Sequence, residues 1–167
     1  VRRASSLVEV RRSGIEGRGV FARRRIAKGR RIIEYTGERI SDAEGDARYD
    51  DDAEELKRTY LFMVGNDELI DAAHGGNEAR FINHSCEPNC EAVQDGKRIF
   101  IEAIHNIQPG VELTYDYRLM RDGPPKADWK RRYACFCGTK KCRGVLLKLP
   151  RRRKRKAVTR RRSGTTA

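Results

Sequence analysis

The sequence predicts a β-rich domain with few helices. Three observations carry that expectation. Short runs rich in β-branched and aromatic residues recur along the first two thirds of the chain, each closed by a turn signal. Only residues 41–59 change to a helical character. No strand–Gly-x-Gly-x-x-Gly–helix unit is present, so a parallel α/β sheet around a dinucleotide is not expected.

The elements follow in order. Residues 19–26 and 31–40 read as strands, broken by Lys28-Gly29 and by Thr36-Gly37-Glu38. Ser41 with Glu44 three residues on is a capping-box pattern. The acidic run Asp50, Asp51, Asp52, Glu54, Glu55 and then Lys57-Arg58 suit a helix dipole, with Gly45 as a weak point. Residues 60–64 and 68–73 return to strand composition around an Asn66-Asp67 turn. Asp95-Gly96 between residues 92–94 and 98–101 predicts a hairpin. Pro109-Gly110 marks a turn before residues 111–117, and Gly123-Pro124-Pro125 opens a loop into a cysteine-bearing segment.

At 167 residues the chain fits one domain with a real core. Hydrophobic content of 38% beside 37% charged residues points to a heavily solvated globular protein. No apolar run reaches the roughly 20 residues of a membrane span, and no signal pattern opens the chain, so neither a membrane partner nor secretion is expected. The net charge of +13 is concentrated: residues 151–162 hold nine Lys/Arg and no acid, leaving +4 elsewhere. Such a tail cannot build a core and is expected to be disordered. It suits phosphate contacts to DNA or a nuclear-import address, and it lacks the aromatic residues that stack single-stranded bases.

The five cysteines all fall after residue 85. Cys135, Cys137 and Cys142 lie within eight residues, too close to pair among themselves, and read as metal thiolates. A tetrahedral zinc site needs a fourth ligand. Residues 135–149 offer no other Cys and no His, so Cys86 or Cys90 is the natural donor. The competing reading is a redox cluster with Cys86 as a buried apolar residue.

The run Arg80-Phe81-Ile82-Asn83-His84-Ser85-Cys86-Glu87-Pro88-Asn89-Cys90 is followed by Glu112-Leu113-Thr114-Tyr115-Asp116-Tyr117, then by Cys135-Phe136-Cys137-Gly138 with Cys142-Arg143-Gly144. In this order the three resemble the SET-domain protein lysine methyltransferases with a post-SET zinc segment, of the trithorax-like histone methyltransferase type. The resemblance runs from about Gly14 to Leu149. It implies a mainly β SET (β-clip) fold of several small sheets, with a knot-like threading of the C-terminal strand past Asn83-His84. It divides the chain into a lead-in (1–12), a SET domain (13–118), a zinc segment (119–149) and a basic tail (150–167).

The resemblance also implies the chemistry. A methyl group passes in line from S-adenosylmethionine to a neutral lysine amine in a dry channel. Tyr117 takes the catalytic position and Tyr115 the one that limits methyl number, so mono- or dimethylation is expected. Aromatic faces suit a sulfonium cation. Cofactor contacts carry over to Glu16, Gly17, Arg18, Gly19, Tyr60, Asn83, His84, Tyr117 and Phe136. Arg80 is placed with them, although for Arg80, as for Asp71, a structural role is the plainer reading. His84 is not assigned as a general base. One structural zinc ion would bind Cys86, Cys135, Cys137 and Cys142, leaving Cys90 buried.

The expected substrate is a histone tail or a similar basic protein, in the nucleus or on chromatin (host nucleus or nucleoid for a prokaryotic enzyme). The acidic stretch near 42–55 reads equally as an attractor for such a tail or as a solvated helix face. No cysteine-rich region precedes the domain, so its start is expected to need a homodimer or an activating partner. The alternative function is an inactive SET fold that binds chromatin or nucleic acid.

Overall fold

The computed structural model describes residues 7–49, 60–65, 67–119 and 127–148. The basic tail and the acidic run from Asp50 lie outside the described residues. The architecture is mainly β, built from four small sheets and few helices.

The first sheet is a hairpin of β1 (Val8–Arg12) and β2 (Arg18–Ala22), with Val10 opposite Val20. The sequence reading missed β1 because arginines interrupt its alternation. One edge of β1 pairs with β2 along its whole length. The connecting turn is closed by Ser13 N–H donating to Gly17 O at 2.9 Å. Gly17 has φ +47, where a side chain would be strained.

The second sheet runs in the order β3 (Arg31–Tyr35), β9 (Arg98–Ala103), β8 (Cys90–Asp95), all antiparallel. The central strand β9 is covered on both faces, so Ile99, Phe100 and Ile101 are all buried in succession. Asp95 pairs with Arg98, so the hairpin loop is Gly96-Lys97, one residue later than expected, with Gly96 at φ +59. A positive-φ glycine at the first loop position matches the twist of the flanking strands.

The third sheet runs β4 (Glu38–Ser41), β6 (Glu68–Asp71), β5 (Leu61–Met63). Ser41 caps α1 (Asp42–Arg48), accepting from Glu44 N–H at 3.2 Å. Gly45 proves to be a packing residue: a methyl group there would lie 2.5 Å from Leu69 Cδ1, so glycine lets the helix rest on β6. Asp71, fully buried, ties this corner together. It accepts from Arg48 Nη1 at 3.0 Å, Tyr49 Oη at 2.9 Å and Ala73 N at 3.0 Å.

A 3-10 helix (Glu78–Phe81), capped by the Asn77 side chain, leads into β7 (Asn83–His84). The two-residue strand β10 (Thr114–Tyr115) pairs with β7 in parallel. This pairing brings the end of the domain alongside the Asn83-His84 segment. Ile26, Ile70, Ile82, Ile99, Ile101, Ile107 and Leu113, each under 2% exposed, form the centre of the core. Burying each such side chain contributes about 1.5–3 kcal/mol.

After residue 126 the chain forms α2 (Trp129–Arg132), which buries none of its residues. The isolated bridge Leu119–Leu147 attaches this segment, and Ala134–Val145 folds it on itself.

Candidate active site and cysteine cluster

Five pieces of chain converge on one cavity of about 550 Å3. The β1–β2 turn contributes Ile15, Glu16, Gly17 and Arg18; the end of the 3-10 helix and β7 contribute Arg80, Phe81, Asn83 and His84. Tyr60 and Tyr117 complete the inner wall, and Ala134, Cys135, Phe136 and Leu146 the outer rim. Ten residues singled out from the sequence, nine as cofactor contacts and Cys135 as a thiolate, therefore share this cavity. Gly19 and Tyr115 do not line it. A larger cavity of about 660 Å3 shares only Arg80 and Phe81 with it and holds none of the tyrosines or cysteines, so the chemistry belongs to the smaller one.

Glu112 organises the floor, and the sequence reading did not single it out. Ser13 Oγ lies 2.8 and 2.9 Å from its two carboxylate oxygens. Asn83 Nδ2 donates toward Glu112 Oε1 at 2.8 Å, Arg18 O at 3.1 Å and Glu16 O at 3.2 Å. With only acceptors around its nitrogen, the Asn83 amide is held in one orientation. Gly19 serves this network: a Cβ there would collide with the Glu112 carboxylate. Asn89 adds a second clamp, donating to Glu112 O at 2.8 Å and accepting from Thr114 N at 2.9 Å.

Aromatic rings form the wall beside Tyr117. Tyr115 and Tyr117 have centroids 4.9 Å apart, and Tyr115 also meets Phe62, which meets Tyr35. Tyr60 meets Phe81 edge-on at 6.3 Å. The Arg18 guanidinium stacks 3.8 Å above Phe81. Arg80 donates to Ala72 O at 3.1 Å and leans over the same ring at 4.7 Å. Tyr117 Oη donates to Ile82 O at 2.8 Å. Burial raises the Tyr117 and Tyr115 hydroxyls above the ordinary tyrosine range, so both stay protonated at neutral pH.

His84 bridges this wall to the cysteines. A backbone N–H can only donate, so Nδ1 accepts from Tyr117 N at 3.1 Å. The neutral ring then carries its proton on Nε2, 3.3 Å from Cys86 Sγ. Burial pushes the His84 pKa down to about 4; Asp116 opposes that shift and Arg143 reinforces it. Asp116 is engaged elsewhere, in a two-pronged bond with the Arg143 guanidinium at 2.8 and 2.8 Å. This pair joins residues 115–117 to the C-terminal segment, and neither partner was recognised from sequence.

The sulfurs of Cys86, Cys135, Cys137 and Cys142 all lie within 4.8 Å of one another, whereas Cys90 is fully buried in the core. Cys86 and Cys135 sulfurs are 3.8 Å apart. Tetrahedral zinc with bonds of about 2.3 Å separates its sulfurs by about 3.8 Å, so donor type and spacing suit that ion. Arg143 N–H donates to Cys86 Sγ and Gly144 N–H to Cys142 Sγ, each at 3.3 Å. Burial works against a Cys137 thiolate, but the Thr139 hydroxyl and neighbouring donors bring its pKa down to about 6. Burial raises Cys90 to about 12, which makes it inert.

A tyrosine-walled cavity rimmed by a C-terminal segment that carries three of four clustered thiols defines the site, and comparison with known proteins names its family. The SET domain family matches residues 17–118, and the chain belongs to that family. The chain is 42% identical over 146 residues to histone-lysine N-methyltransferase 2B of Homo sapiens, covering 83% of this chain and 5% of that protein. It is 40% identical over 147 residues to the H3 lysine-4 specific histone-lysine N-methyltransferase of Aspergillus oryzae, covering 83% and 11%. Histone-lysine N-methyltransferase SETD1B of Homo sapiens is 41% identical over 142 residues, covering 81% and 7%. The chain thus spans a small part of the length of these relatives.

Proposed function

We propose that this chain is a protein lysine N-methyltransferase that uses S-adenosylmethionine and acts on a histone tail. The observation that carries the reading is the single cavity shared by the Gly17 turn, Asn83, His84, Tyr117 and Phe136. The names of the relatives make histone H3, at lysine 4, the first substrate to test. Action on histones implies a nuclear or chromatin location.

S-adenosylmethionine supplies a methyl group on a sulfonium, an electrophile that needs no metal. The chain's residues fit such a ligand. Backbone at Glu16, Gly17 and Arg18 borders the cavity without bulky side chains at Gly17. With its nitrogen committed, Asn83 keeps its Oδ1 as an acceptor for an ammonium group. Phe136, at 56% exposed on the rim, offers a flat face for a heterocycle.

The lysine amine must arrive neutral. Tyr117 and Tyr115 hold their protons, so neither removes one from lysine at neutral pH. Their rings instead exclude water, and that desolvation favours the uncharged amine. The proton leaves for solvent before transfer. Tyr117, with its hydroxyl proton directed at Ile82 O, keeps oxygen lone pairs for the reacting groups. Holding amine and methyl carbon in line is worth several kcal/mol of barrier. The Tyr115 hydroxyl narrows the space beside the amine, which favours one or two methyl additions.

One zinc ion on Cys86, Cys135, Cys137 and Cys142 would hold the rim in place, since Cys135 belongs to both cluster and cavity. The basic residues 151–162 add a non-specific DNA tether.

The test is mass spectrometry of core histones incubated with this chain and S-adenosylmethionine. A gain of one or two methyl masses on an H3 lysine is expected. No gain while the cofactor binds would overturn the histone assignment, and no cofactor binding would overturn the enzyme assignment. Tyr115→Phe should extend the product series by one methyl.

A further inference from the structure

The loop after β2 is strongly basic, and the proposed methyl transfer makes no use of it. Residues 17–33 hold seven Arg/Lys and no acid, and the facing residues 103–111 hold no acid either. Arg23, Arg25, Lys28 and Arg30 are exposed, whereas Ile26 between them is buried. Their side chains form no ion pair among the described residues. Other exposed arginines differ. Arg31 pairs with Glu102 at 2.9 Å and Asp95 at 3.0 Å, Arg39 with Glu68 at 3.0 Å, and Arg98 with Glu34 at 2.6 Å. The arginines of the β3–β9–β8 and β4–β6–β5 sheets are thus neutralised by acids, whereas these four loop cations have no acidic partner among the described residues.

The loop's backbone is held in place. Ile26 and Ile107 exchange both hydrogen bonds, at 2.9 and 2.8 Å. Lys28 N donates to Asn106 Oδ1 at 3.0 Å, Gly29 N to Ala103 O at 2.7 Å, and Gly110 N to Ala22 O at 2.7 Å. The cations therefore sit on a preformed ribbon whose ordering cost is met by folding. The ribbon starts one strand from the cavity, since β2 runs from Arg18 to Ala22, about 13 Å at 3.3 Å per residue.

We propose that residues 23–30 are a docking surface for the phosphate backbone of duplex DNA, distinct from the cavity and from the basic tail. Four uncompensated cations on a rigid ribbon match a regular array of phosphates. The exposed side chains of the loop include no aromatic residue to stack unpaired bases and no large apolar one to enter a bilayer, which favours a duplex over single strands or a membrane.

The experiment is fluorescence anisotropy on the whole chain, tail included. The probe is a labelled random-sequence duplex of about 20 base pairs, titrated between about 50 and 200 mM KCl. The test variant is R23Q/R25Q/K28Q/R30Q, whose substituted side chains are exposed. The control, R31Q/R39Q/K97Q/R98Q, removes the same charge from ion-paired positions. The test variant should lose about 3.6 units of salt slope and at least about 30-fold in affinity, since each phosphate contact contributes about 0.9 to the slope. The control should change affinity by less than about threefold, because its cations are already neutralised locally. Equal losses in both variants would reduce the effect to bulk charge and overturn the proposal, as would an unchanged slope in the test variant. A larger loss on a single-stranded oligonucleotide or an anionic phosphatidylserine vesicle than on the duplex would overturn the choice of partner.

Discussion

Residues 8–119 and residues 127–148 are held together by different forces. The first region closes around buried isoleucines from the β3–β9–β8 sheet and its neighbours. In the second, only Val145 and Leu147 are buried, and α2 buries nothing. What fastens the second region is polar: four converging thiols and the Asp116–Arg143 pair. The cavity lies on the seam, with its floor on the apolar region and its rim, Ala134 to Phe136 with Leu146, on the thiol-held one. The difference teaches that ligand access is governed by the region with the weaker apolar support.

Removing the zinc ion proposed for the thiol cluster should break the comparison most visibly. Chelation, or Cys137→Ser, should raise amide exchange in residues 127–148 by at least about 100-fold, because binding energy at such a site is folding energy. Exchange in β9 should stay unchanged. Global unfolding on chelation would erase the distinction between the regions.

A change on the floor should act on chemistry alone. Tyr117→Phe should lower turnover by about 100-fold or more while cofactor affinity stays within about threefold, a positioned hydroxyl being worth that much at the reacting centre. Unchanged turnover would remove Tyr117 from the site.

The core should control both regions, in contrast to the metal. Ile101→Ala is expected to cost about 2–5 kcal/mol by leaving a cavity in the central strand. Denaturant melts should show the whole chain shifting together, and a loss confined to one region would contradict the single core.

The seam pair should be worth less. Asp116→Asn is expected to loosen the rim by about 1.5–3 kcal/mol, the range of a hydrogen bond to a charged group. A double-mutant cycle with Arg143→Met measures the coupling, and no coupling would take this pair out of the fastening.

The smallest expected effect is a null titration. An ordinary imidazole gains its proton near pH 6.5, but burial holds His84 down to about pH 4. Nitrogen chemical shifts should therefore report a neutral ring, protonated at Nε2, throughout pH 5.5–8. Protonation in that interval would contradict the bridge between Tyr117 and Cys86.

Much of this was legible locally. The Ser41 cap, the hairpin after β8, the turn before β6 and the thiol-rich segment announce themselves within a few residues, because caps, turns and clustered ligands are short-range devices. The strand β1 was missed because its exposed arginines mask the alternation of Val8 and Val10. The helix expected over residues 41–59 is described only as far as Arg48, and its remainder lies outside the described residues.

What the sequence by itself determined is the inventory: a β-rich chain, an Asn-His pair, two tyrosines on one short strand and its exit, and enough thiols for a metal. Only the tertiary structure decided their relations. Packing β10 in parallel on β7 sets Tyr117 N–H on His84 and Asn83 on Glu112, pairs 33 and 29 residues apart. The same packing brings Cys86 rather than Cys90 to the other three thiols. Local sequence cannot encode such choices, because they depend on which distant strands the buried core forces into contact.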